Sequence, residues 1–155
     1  MQCSFVHYDK NVGEPHLNPK STRVTYPGKP LAGEIAARWA YVSAEPFAIV
    51  AGEAWRAGNV CCYSSHRPLM YSSGLVDELH FEAKYTPWTD DADFALRGGA
   101  ILWDANRDGD ALPDRIRVRF PQAEIQPPIV LHYRTSANVA PDRVGVAFIR
   151  PAAGR

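Results

Sequence analysis

Ala100-Ile101-Leu102-Trp103-Asp104-Ala105-Asn106-Arg107-Asp108-Gly109-Asp110-Ala111-Leu112-Pro113-Asp114-Arg115-Ile116-Arg117-Val118-Arg119-Phe120 is the stretch on which the fold turns. It opens on a short apolar run, Ala100 to Trp103, of strand length. It closes with Ile116, Val118 and Phe120 alternating with Arg115, Arg117 and Arg119. Alternation with period two predicts a half-buried strand. The whole stretch therefore reads as strand, acidic loop, strand.

The loop has its own chemistry. Asp104, Asn106, Asp108 and Asp110 place a side-chain oxygen at every second position, and Asp114 adds a fifth. Ca2+ takes about six to eight oxygens at short range and needs a tight turn to gather them. Gly109 supplies that turn, because glycine accepts a positive φ. The four carboxylates repel one another unless a cation lies between them. With no His or Cys in the loop, Ca2+ is favoured over Zn2+. The expected cofactor is thus Ca2+, held by Asp104, Asn106, Asp108, Asp110 and Asp114. The competing reading is an Asx-rich turn that needs no ion, partly neutralised by Arg107.

The segment Asp104, Asn106, Asp108, Gly109 resembles the Asp-x-Asn-x-Asp-Gly loops of thrombospondin type 3, dockerin and integrin-like propeller repeats. That resemblance implies an ion, not a fold. Position 12 of a helix-flanked calcium loop would fall on Arg115, where a Glu belongs. Asp114 comes later after the glycine than the corresponding acid in many such loops.

Outward from the loop, further strands are expected at Glu78 to Tyr85, Ile129 to Tyr133 and Arg143 to Phe148. Phe47 to Trp55 and Val60 to Tyr63 read as strands less cleanly. Short helices fit Gly33 to Val42 and Thr89 to Gly98, the second with acids in its first turn and a glycine after its end. Thirteen prolines interrupt the chain and leave few gaps for a long helix. The expected fold is all-β, an antiparallel β-sandwich or jelly roll with at most one or two short helices. Residues 1–30, polar and proline-rich, read as an extended N-terminal arm, and residues 31–155 as one β-sandwich domain.

Composition narrows the function classes. The net charge is zero, so nucleic acid is not an expected partner. No apolar run approaches the roughly 20 residues that span a bilayer, and the N-terminus lacks the pattern of a signal peptide. A cytoplasmic or particle-associated location is the expectation. Three cysteines, two of them adjacent (Cys61 and Cys62), make a poor disulfide framework. Ser64-Ser65-His66 and Tyr71-Ser72-Ser73-Gly74 offer hydroxyls without a nucleophile-elbow pattern. Trp39, Trp55, Trp88 and Trp103, with seven tyrosines, could make a sugar-stacking platform if several share an exposed face. Trp103 is expected to anchor the acidic loop to the core.

The first functional expectation is a non-enzymatic structural or assembly protein, such as a virion or particle component, with protein partners or self-association. The second is a calcium-dependent module that binds carbohydrate or a cell surface. The third is a small hydrolase whose site is not recognisable from motifs.

Overall fold

The computed structural model describes residues 25–72, 86–135 and 138–152. In chain order the elements are α1 (Gly28–Trp39), β1 (Ile49–Gly52), α2 (Ala54–Tyr63), β2 (Leu69–Ser72), α3 (Asp91–Arg97), β3 (Gly99–Asp104), α4 (Ala105–Asp108), α5 (Asp114–Arg119), β4 (Glu124–Leu131) and β5 (Asp142–Ile149). The strands form one sheet in the order β2-β1-β3-β5-β4. β1 runs parallel to β2 and β3, while β5 is antiparallel to β3. The fold is therefore mixed α/β, which corrects the expected all-β antiparallel sandwich or jelly roll.

The largest single difference from the expected strands lies at residues 114–119. Arg115 to Phe120 is not a strand. Asp114–Arg119 is helical, with Pro113 before it and Arg117 and Arg119 in its last turn. Leu112, Ile116 and Phe120 are buried, whereas Val118 is 83% exposed. A strand would put Val118 on the side of Ile116. The burial instead recurs every four residues, the spacing of one helix face. Six residues are too few for period two and period 3.6 to be told apart. In the helix Arg115 and Arg119, four residues apart, share a face that Arg117 does not, so the three arginines do not line one strand face.

Val60 to Tyr63 is likewise the last part of α2 and not a strand. The prolines exclude fewer elements than their number implies. Pro30 is the third residue of α1, where its missing N–H is one of the orphan donors of the first turn. Pro127 and Pro128 lie in β4, an edge strand, where a ladder donor can be spared. The other expectations hold in part. Strands do form over 99–104 and 142–149, and a short helix forms over 91–97, capped by the Asp90 side chain and ended at Gly98 with φ 72°. The expected strand at Glu78 to Tyr85 lies outside the described residues, as does Cys3. Of the expected arm, residues 1–24 also lie outside them, and residues 28–30 open α1.

The chain's own contacts divide it into two compact units, 28–129 with 143–155, and 1–27 with 130–142. In the larger unit helices cover both faces of the sheet. On one face Phe94 of α3, together with Ile116 and Phe120, packs with Ile49, Ala51, Ile101, Trp103, Ala147 and Ile149. The intervening residues point the other way. There Trp39 of α1 meets Phe47 and Phe148 edge-on, with ring centroids 5.9 and 5.4 Å apart. Strands buried on both faces read as continuous apolar runs rather than alternating ones, as Ile49-Val50-Ala51 does. In the smaller unit the Tyr26 hydroxyl donates to Asp142 at 3.0 Å, and Tyr26 packs edge-on against Tyr133.

Candidate functional site

The four carboxylates of the acidic stretch are distributed among arginines. The Asp104 side chain caps α4, accepting from the Asn106 and Arg107 amides at 3.0 and 3.3 Å. Its second oxygen lies 3.3 Å from Arg56. Asp108 pairs with the neighbouring Arg107 at 2.7 Å. Asp110 takes Arg143 through both carboxylate oxygens at 2.7 Å. Asp114 lies 3.5 Å from Arg117, one turn along α5. Asn106 is exposed within α4. Among the described residues no group of three or more His, Cys, Asp or Glu side chains stands together to hold an ion. A cation entering this turn has to exchange with guanidinium groups. Trp103 does anchor the turn, because its buried indole N–H donates to the Gly109 carbonyl at 2.9 Å.

Asp104 has a second significance that only the topology reveals. From β1 the chain passes through α2 to β2 on one side, and after α3 it returns to β3 on the other. The carboxyl ends of β1 and β3 therefore flank the point where the chain direction divides, the usual ligand crevice of open α/β sheets. Gly52 ends β1 there with φ 130°, and a Cβ on it would collide with the Leu102 carbonyl of β3. Glu53 then caps α2, accepting from the Trp55 and Arg56 amides at 2.6 and 3.0 Å. Buried Arg56 joins the two turns, 3.6 Å from Glu53 and 3.3 Å from Asp104. The cluster fixes the head of α2 against the end of β3. Neither Glu53 nor Arg56 was singled out from the sequence. The residue pattern at 53–56 holds a capping acid followed by a helical arginine, but nothing in it says that β3 ends alongside.

From this fixed head, α2 exposes a groove of about 260 Å3 lined by Ala54, Trp55, Gly58, Asn59, Cys62 and Tyr63. Ala54, Gly58 and Cys62 recur every four residues and form one stripe. Trp55 is half-buried, and Tyr63 is 55% exposed at the far end. The Asn59 amide donates to the Trp55 carbonyl at 2.8 Å. Burial pushes the Cys61 thiol up to about 11, so it stays protonated at neutral pH. Cys62 is the exposed member of the pair, and both thiols are free. Of the four tryptophans considered for sugar stacking, Trp39 and Trp103 are core residues, with 1% and 0% exposure. Trp88 is exposed and donates to the Met70 carbonyl. Trp55 faces a groove on a helix, not a sheet face.

A second polar cluster ties β2, α3 and α5 together. The buried Tyr71 hydroxyl donates to Asp91 at 2.7 Å, and Arg119 donates to Asp91 at 2.6 Å and to the Tyr71 oxygen at 2.8 Å. Burial and then the hydrogen bond to Asp91 raise the phenol above its ordinary value of 10.0. A raised phenol keeps its proton in the folded chain after the unfolded chain has lost it. Stability is then full below about pH 10 and falls as pH rises beyond it. Melting temperatures recorded from pH 8 to 11 should show this fall, and Tyr71→Phe should flatten it. The same variant is expected to lose about 1 kcal/mol at neutral pH. Of the hydroxyls considered as nucleophiles, Ser64 serves a local turn, its Oγ accepting from the His66 amide at 3.1 Å, and Ser73 lies outside the described residues; the His66 ring lies 4.7 Å from that of Phe47.

No helix among the described residues is long and apolar enough to cross a membrane. No family profile, curated protein or solved structure matches this chain.

Proposed function

We propose that the chain is a non-enzymatic carbohydrate-binding module whose site is the α2 groove. The observation that carries this reading is the pairing of Trp55 and Tyr63 along a floor of Ala54, Gly58 and Cys62, a lining without a charged side chain among the described residues. Eight residues of helix set the two aromatic positions about 12 Å apart along the axis. That suits a short oligosaccharide. A sugar ring has an apolar face and a rim of hydroxyls, which matches side chains with an apolar body and a polar handle. A neutral lining offers nothing to a phosphate backbone, whose binding rests on Lys and Arg.

Titration with maltotriose, cellotriose and chitotriose, followed by calorimetry and tryptophan fluorescence, tests the reading. Saturable binding of at least one is expected. Trp55→Ala and Tyr63→Ala should each weaken it about tenfold or more, about 1.4 kcal/mol. Gly58→Leu fills the floor instead. The nearest atom beyond α2 to a Cβ at 58 is Met70 Sδ at 3.9 Å, an ordinary contact distance, so the fold admits a Cβ there. Replacing a helical glycine should hold or raise the melting temperature, while binding is lost. Absence of saturable binding, or a Gly58→Leu protein that binds as the parent does, sinks the proposal.

Calcium at the acidic turn is the second reading, favoured by Gly109, whose φ of 82° closes the turn just after Asp104, Asn106 and Asp108. Arginine and calcium then compete for the same carboxylates. The rise in melting temperature between chelator and millimolar calcium should be larger in Arg143→Gln than in the parent, because Asp110 is released. Equal and negligible shifts in both proteins would remove the ion from the account.

A further inference from the structure

We draw no further inference here: the strongest candidate, the Glu53–Arg56–Asp104 cluster at the carboxyl ends of β1 and β3, carries nothing, because each of its carboxylate oxygens already accepts from a backbone amide or faces the Arg56 guanidinium and nothing there points to a ligand.

Discussion

Trp103→Ala is expected to lower stability by about 3–5 kcal/mol, the cost of emptying a large aromatic site in a packed core. Trp103 is fully buried, in a cluster with Ile101, Phe94, Ile116 and Ala147. It also holds the Gly109 carbonyl, so truncation loosens the 104–110 turn as well. For a chain of this size, 1 kcal/mol moves the melting temperature by about 2–4 °C, so the shift should be on the order of 10 °C. Gly145 supplies the internal control. It sits directly opposite Trp103 in the β3–β5 register. A Cβ at 145 would overlap the indole carbons. Gly145→Ala should therefore cost about 1–3 kcal/mol by overpacking. The cost should shrink when Trp103 has already been reduced to leucine. Denaturant unfolding of the two single variants and the double variant measures the coupling. Strictly additive costs would mean that the indole is not what excludes a side chain at 145.

Arg56 carries the second large effect. Its side chain is 11% exposed and serves two carboxylates that are themselves 17% and 23% exposed. Removing one partner of a buried ion pair leaves an uncompensated charge and costs about 3–5 kcal/mol when burial is complete. The residual exposure of Glu53 and Asp104 reduces this to about 2–3 kcal/mol. Arg56→Met keeps most of the volume and removes only the charge. Adding Glu53→Gln and Asp104→Asn should return part of the loss, because the buried charges are gone, the Asn oxygen still accepts from the α4 backbone and the Gln oxygen keeps one of the two α2 bonds. Chemical denaturation of the single and triple variants decides it. An Arg56→Met protein as stable as the parent would show that the cluster is an incidental surface contact.

Where the chain's local signals were complete, they were readable. The acids in the first turn and Gly98 after the end mark α3 within a few residues, because helix ends are decided by neighbours in sequence. The alternation of Val144, Val146 and Phe148 identifies β5, and the apolar run ending at Trp103 identifies β3 with its anchored turn. The failures share a cause. At Arg115 to Phe120 a pattern of six residues fits two periods, and burial against Phe94 selects the helical one. At Ile49 to Gly52 the expected strand forms, but a short apolar run does not say which distant segments pair with it or in which direction.

The acidic stretch is the sharpest case. Its oxygens were visible in the sequence, and so was the turn at Gly109. Their partners were not: Arg56 is 48 positions before Asp104, and Arg143 is 33 after Asp110. By itself the sequence determined the ends of α3, the strands β3 and β5, the turn at Gly109 and the indole that moors it, since each depends on residues a few positions apart. The tertiary structure alone decided the parallel pairing of β1 with β2 and β3, the arginine assigned to Asp104 and to Asp110, and the exposure of Trp55 and Tyr63 along one groove. Those depend on which distant segments bury their apolar faces together, and that free energy belongs to the assembled core rather than to any window of the chain.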